Sequence, residues 1–429
     1  MKQILFLTTN NLATNPRLVK EVQLALQLQH RVTIIMFKLN NWSDAKSIQL
    51  KDQLIKICNN DESCLRIIQL EAIPSNKLKW IYLGVREKLA KKVSGLILTD
   101  LKLNALANNR RSLQIYNAAK KIKDKPDLIC AHNMGALYPA HELSELWKVP
   151  FIFDVEDYHP GEIVSTDGET AKNRIEFLMQ SLLPKAKSIT YASPLIGQYT
   201  LDLIGEHKSS AVVLNGFNDS EFSLLSHTEN DINKNETGLK LVWFSQKISF
   251  GRGLEELFNA LGIISKSNHN IKISLTLIGE LDSNFETIEI TKIRKKLEHT
   301  NLRLTIENPL GQQELHATLS HFDVGLALEF NSRDLNRQIC LTNKIITYAQ
   351  AGLYILATNT KAQEQFITDY PELGVLSAQS EIEISEMIQK LYQNKDQIKA
   401  NKRVRFQKGK CLSWDSEQIK IQELWNQIL

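Results

Sequence analysis

The sequence predicts an α/β chain made of two doubly wound, Rossmann-like domains. Three observations carry that expectation. Apolar runs of strand length alternate with amphipathic runs of helix length through the first half, the pattern of a parallel sheet with helical crossovers. The composition then breaks after Asn215-Gly216. A second alternating series starts afresh at Leu239.

The first series opens with Ile4-Leu5-Phe6-Leu7, an all-apolar run suited to a central parallel strand. A polar loop follows, and Pro16 suits the first position of a helix, because its missing N–H would be unpaired there in any case. Leu18, Val22, Ala25 and Leu28 fall on one helical face, and Arg31–Met36 is the next strand, completing a βαβ unit. Further strands are expected at Leu65–Leu70, Leu128–Ala131, Phe151–Val155, Ser188–Ala192 and Ala211–Leu214.

Residues 218–238 are rich in Asp, Glu, Asn and Ser and short of apolar residues, so a linker is expected there, between an N-terminal domain at 1–217 and a C-terminal one at 239–411. In the second domain, strands are expected at Leu239–Phe244, Ile273–Ile278, Leu302–Ile306, Val324–Leu328 and Tyr354–Ala357. Helices are expected from Gly253, near Glu286–His299, at Gln312–Phe322 and at Asn343–Ala351. A final helix lies within 412–429, after Trp414.

The chain has 429 residues, 43% of them hydrophobic and 23% charged, which is enough apolar material for two cores. A net charge of +4 is too small for a surface that wraps nucleic acid. The five cysteines form no C-x-x-C pair and no zinc-ligand spacing, which fits free thiols in a reducing compartment. No run reaches transmembrane length and Ile4–Leu7 is too short for a signal-peptide core, so a cytoplasmic location is expected.

One region departs from the alternation. Between Asn76 and Lys125, thirteen Lys and Arg face only Glu87, Asp100 and Asp124, and Trp80, Ile81, Tyr82, Leu89, Val93 and Leu96-Ile97-Leu98 are interleaved with them. Two readings stand for segment 77–125: a solvated helix face, or a basic amphipathic surface for the inner face of an anionic membrane. No stacking platform or motif accompanies the charge to support nucleic acid.

The stretch Val242–Gly253 has the chemistry to hold a diphosphate. It is a buried strand, then a loop carrying Lys247 and Arg252, then Gly251 and Gly253 at the mouth of a helix. A compact ammonium and a forked guanidinium beside free helix N–H groups oppose the charge on such a group. In the first domain, Asn15-Pro16-Arg17, His132-Asn133 and Asp154-Val155-Glu156-Asp157 each follow a strand, where open α/β sheets bind their ligands.

Taken together, these stretches resemble the GT-B-fold, retaining, nucleotide-sugar-dependent glycosyltransferases called group 1. That family has a strand followed by Gly-Arg, four residues, Lys-Gly and a helix. Lys247 stands where its Arg usually is and Arg252 where its Lys usually is, so the charges are kept and the order exchanged. Gln246 replaces the usual Gly. The family's Asn-Gly before the linker matches Asn215-Gly216, and its Asp-Val-Gly-Leu matches Asp323–Leu326. Its donor helix matches Asn343-Lys344-Ile345 through Ala351-Gly352, and its following Glu matches Glu364.

The resemblance implies two domains facing a cleft, the final helix crossing back to the first domain, and transfer of a sugar from a nucleotide diphospho-sugar to a glycan or lipid-linked glycan. Lys247 and Arg252, with His132, would carry catalysis. Lys247, Arg252, Asn343, Lys344, Thr347 and Glu364 would bind the donor. Arg17, His132, Glu156 and Asp157 would face the acceptor. No metal or other cofactor is expected, because the two cations do a metal's work. Asp154–Asp157 also resembles the acidic cluster of metal-dependent GT-A transferases, but that fold would not restart a second unit at Leu239.

The family usually carries two Glu eight positions apart, of which the second binds the nucleotide ribose. Here those positions are Ile339 and Thr347. Thr347 offers one neutral hydrogen bond in place of a charged one, and Asn343 and Glu329 are nearby polar alternatives. This departure keeps two other readings open: a non-catalytic nucleotide-sugar or glycan-binding relative, and a sugar-nucleotide epimerase of the same fold.

Overall fold

A computed structural model describes residues 1–58, 61, 63–71, 77–94, 99–162, 168–224, 238–268, 270–330 and 334–429; for 77–80 it describes the backbone alone. Two compact units result. Unit 1 comprises Met1–Val213, Asp334–Cys340 and Gln418–Leu429, and unit 2 comprises Leu214–Arg333 and Leu341–Glu417. Of the linker expected at 218–238, residues 225–237 lie outside the described residues, and Asp219–Glu221 forms a single helical turn.

Unit 1 holds a parallel sheet of β1 (Gln3–Thr8), β2 (Arg31–Lys38), β3 (Leu65–Glu71), β4 (Leu128–His132), β5 (Phe151–Val155), β6 (Ser188–Tyr191) and β7 (Ser210–Val212). Its order is β3-β2-β1-β4-β5-β6-β7, so the winding reverses between β1 and β4. The central strands are buried along their length, as the continuous apolar runs require. The helix Pro16–Gln27 starts where Pro16 said it should, with Asn15 Oδ1 accepting from the Leu18 N–H as its cap.

Unit 2 holds β8 (Leu239–Ile248), β9 (Ile273–Leu281), β10 (Leu302–Glu307), β11 (Val324–Ala327), β12 (Tyr354–Thr358) and β13 (Gly374–Ser377), in the order β10-β9-β8-β11-β12-β13. Here the winding reverses between β8 and β11. A separate core fills this unit around Trp243, Leu257, Phe258 and Phe285. The Asp323-Val-Gly-Leu stretch has a packing reason. A Cβ on Gly325 would sit 2.3 Å from the ring of Tyr348, so only glycine lets the helix Asn343–Gln350 lie against β11.

Three features differ from the expectation. β8 runs on past Phe244 to Ile248, with an irregularity before Lys247 pairs with Glu280, so Lys247 stands on a strand rather than in a loop. β13 forms where no strand was expected. Asp334–Cys340, drawn from the middle of the second alternating series, packs into the core of unit 1, where Ile339 is fully buried.

Candidate functional site

In each unit the side chains of interest gather at the strand ends beside the reversal, where the two neighbouring connections leave in opposite directions and open a crevice.

In unit 1 the ends of β1, β4 and β5 are tied together. Thr8 Oγ1 donates to Asn133 Oδ1 at 2.6 Å, and Asn133 Nδ2 donates to Glu156 Oε2 at 2.8 Å. Below that layer lies a buried charge cluster. Arg17 grips Asp154 with two parallel bonds, Nε to Oδ2 at 2.6 Å and Nη2 to Oδ1 at 2.7 Å, and its Nη1 donates to the Val213 carbonyl at 2.7 Å. Thr190 Oγ1 donates to the same carboxylate at 2.6 Å. His132 lies between carboxylates: Nδ1 is 3.2 Å from Glu156 Oε1 and 3.4 Å from Asp154 Oδ2, and Nε2 is 3.5 Å from Glu21 Oε2.

Burial by itself would lower the pKa of His132, but Glu21, Asp154 and Glu156 outweigh it and hold the ring well above its ordinary value. Burial would likewise raise the pKa of Asp154, but Arg17 and His132 hold its carboxyl well below the carboxylate range. The cluster therefore pairs two cations with three carboxylates, and both imidazole nitrogens act as donors.

This geometry bears on three of the expected residues. Arg17 does not face an acceptor; it is buried and bound to Asp154 and Val213. His132, expected among the catalytic and acceptor residues, is 1% exposed and flanked by carboxylates at both nitrogens, with Glu156 against Nδ1. Glu156 is the half-buried carboxylate at the edge of the cluster. Asp157 holds the inserted segment instead: its Oδ1 accepts from Asn336 Nδ2 at 2.9 Å, while Asn336 Oδ1 accepts from the Tyr158 N–H at 2.8 Å.

Glu21, His132 and Asp154 also have atoms close enough to share a metal ion. Their chemistry does not fit one. Both Asp154 oxygens already accept from the Arg17 guanidinium, and a second cation there would meet that fixed positive charge.

In unit 2 the ends of β8, β11 and β12 converge. Gly253 begins the helix Leu254–Ser267 at φ +77°, and a Cβ there would be 2.8 Å from Leu328 Cβ and from the Phe330 ring. Both the left-handed backbone and the contact with the segment after β11 require glycine. Thr358, ending β12, donates to the Glu329 carbonyl and accepts from the Glu329 N–H, fixing that residue beside the same segment.

On this framework stand Lys247 and Arg252, both exposed. Arg252 Nη1 donates to Ser245 Oγ at 3.1 Å. Among the described residues no carboxylate lies within ion-pair distance of either cation. Lys344 pairs with Glu329 at 3.0 Å and lies 5.0 Å from the centre of the Trp243 ring. Asn343 is exposed at the start of its helix and accepts from Asn215 Nδ2 at 3.0 Å, and Glu364 is exposed in the first turn of Lys361–Asp369.

Thr347 is not available as expected. It is 1% exposed, and its hydroxyl donates to the Asn343 carbonyl of its own helix at 2.7 Å. The sequence pointed to Lys344 and Glu329 separately, but not to the ion pair between them, and not to Thr358. Glu329 directly follows a predicted strand end, and that was the available signal.

No family model matches this chain, and no curated protein sequence does. Solved structures do. It superposes over its full length on HepE from Anabaena in complex with UDP-glucose, with a TM-score of 0.63, 13% identity and 100% of each chain covered. The fold is that of the GT-B glycosyltransferases. A glycosyltransferase from Rickettsia africae matches with a TM-score of 0.64 and 13% identity, over 100% of this chain and 98% of that one. Sucrose-phosphate synthase from Thermosynechococcus elongatus matches with a TM-score of 0.62 and 14% identity, over 100% and 99%. Among the described residues no helix is long and apolar enough to cross a membrane.

Proposed function

We propose that this protein is a glycosyltransferase of the hexosyltransferase type, moving a sugar from a nucleotide diphospho-sugar to a glycan or lipid-linked glycan, as in polysaccharide biosynthesis. One observation carries the reading. In unit 2, Lys247 near the end of β8 and Arg252, which lies between Gly251 and Gly253 just before a helix, are exposed and have no acidic ion-pair partner among the described residues. A GT-B fold whose neighbour HepE was crystallised with UDP-glucose supports it.

In this reading the donor diphosphate lies against Lys247, Arg252 and the first turn of Leu254–Ser267. As the bond to the sugar breaks, negative charge builds on the leaving diphosphate, and cations already in place stabilise it more than they stabilise the bound donor. That role leaves no need for a divalent ion. Asn343, the Lys344–Glu329 pair and Glu364 take the nucleoside and sugar side. On unit 1, Glu156 takes an acceptor hydroxyl, held in place by His132 and Asn133. Retention at the sugar carbon is part of the proposal and rests on the family resemblance.

The test is isothermal calorimetry with UDP- and GDP-sugars on wild type, Lys247→Ala and Arg252→Ala. Each substitution removes a charge-assisted contact, so donor affinity should fall about tenfold to a hundredfold. Unchanged affinity in both variants sinks the diphosphate assignment.

A second reading is favoured by one observation. Ile339 is buried and the Thr347 hydroxyl is spent inside its helix, so neither of the family's paired Glu has a counterpart there. A protein that binds a nucleotide sugar without transferring it would show this pattern. Donor consumption against a panel of glycan acceptors separates the two, and a changed sugar nucleotide without transfer would point to epimerisation.

A further inference from the structure

The helix Lys77–Ser94 is inside out. Leu83, Glu87, Ala90 and Ser94 recur on one side and face inward, with Ala90 3% and Ser94 1% exposed; the helix packs there on Leu101–Asn108. The opposite side is normally polar. Here it carries Ile81, Tyr82, Val85, Leu89 and Val93, exposed by 52%, 59%, 50%, 56% and 39%. A row of large apolar side chains turned to water along one helix marks a surface that meets a partner.

The charges on that face identify the partner. Lys88 and Lys92 are exposed within the apolar row. Arg86 lies 5.3 Å from the centre of the Tyr82 ring at its border. Two such faces brought together from two copies would oppose like charges. An anionic lipid surface accepts both components at once: apolar side chains enter the acyl boundary, and the lysine stems reach back to place their ammonium groups among the headgroups. A tyrosine at the edge suits the same interface. The 18-residue helix is about 27 Å long, enough to lie along a membrane surface as an interfacial element. We propose that the outward face of Lys77–Ser94 docks this protein on an anionic membrane surface. Residues 95–98, expected to belong to the same basic segment, lie outside the described residues.

The inference stands apart from the donor assignment, and its test needs no nucleotide sugar. Full-length protein is floated with vesicles of phosphatidylcholine alone and of phosphatidylcholine with phosphatidylglycerol. Binding should require the anionic lipid and weaken with added salt. Lys88→Glu/Lys92→Glu should weaken it by about thirtyfold or more, since each cation near an anionic leaflet contributes about a fivefold gain. Ile81→Ser/Val85→Ser/Leu89→Ser should reduce it to background at low salt. These side chains are exposed, so both variants should keep the wild-type circular dichroism spectrum. Equal binding to both vesicle types, or wild-type binding by the triple serine variant, overturns the proposal. So does a self-association in ultracentrifugation that the serine variant abolishes, because it would assign the face to a second copy.

Discussion

At the scale of the residue, the buried cluster around Asp154 is the most demanding part of the chain. Removing one partner of a buried ion pair leaves the other charge without compensation, which costs about 3–5 kcal/mol. Asp154→Asn should therefore lower the stability of unit 1 by that amount in urea unfolding, because it strands the Arg17 guanidinium. His132 adds a pH dependence of known sign. Its folded pKa lies above its ordinary value of 6.5, so the stability it contributes is complete below that value and is lost as pH rises through the folded one. Urea midpoints measured from about pH 6 to about pH 9 should fall for wild type and change less for His132→Gln. Asp154 acts in the other direction: its pKa is lowered on folding, so its contribution is lost only in strong acid.

At the scale of the element, two short segments decide where side chains end up. The mouth of the helix Leu254–Ser267 depends on Gly253. An alanine there would hold a left-handed backbone that costs an L-residue about 1–2 kcal/mol, and its Cβ would press on Leu328. Gly253→Ala should lower the melting temperature of unit 2 and weaken donor binding together. The other segment is Asp334–Cys340. Its seat in unit 1 rests on Ile339, on Ser193 Oγ donating to the Ile339 carbonyl at 2.8 Å, and on the paired bonds of Asn336. Asn336→Ala removes two hydrogen bonds and leaves the Tyr158 N–H unpaired. It should destabilise by about 1–3 kcal/mol, with faster hydrogen exchange at Tyr158 as the specific sign.

For the whole molecule, the two units have separate cores, but the chain passes between them more than once. Unit 1 is completed by the last residues of the chain. Trp425 is 2% exposed and its ring meets Phe6 of the central strand edge-on at 6.4 Å, and Lys420 Nζ donates to the Val212 carbonyl at 3.0 Å. Replacing a buried Trp by Ala costs about 3–5 kcal/mol. Trp425→Ala should therefore shift the unfolding of unit 1 and leave that of unit 2 near its wild-type midpoint. Two fluorescence probes, one in each core, would read this out; a concerted shift of both would mean the units unfold as one.

The strands were largely legible because burial writes its period directly into the sequence, and the helix starts at Pro16 and Gly253 because backbone conformation restricts residue type locally. By itself the sequence thus determined the two α/β series, their restart at Leu239, and the helix mouth at Gly253 with Arg252 just before it. β13 was missed because Gly374–Ser377 is too short to show a period. What only the tertiary structure decided is which polar groups are already occupied. Arg17 and Asp154 are 137 residues apart, and nothing in their local spacing records that each satisfies the other. The same holds for His132 among its carboxylates, for Asp157 held by Asn336, and for Asp334–Cys340 in the core of unit 1. Only Thr347 is occupied locally, by a carbonyl of its own helix. The physical reason is that periodicity reports which face of an element is buried, whereas hydrogen bonds between strand ends depend on sheet order and on which loops meet there.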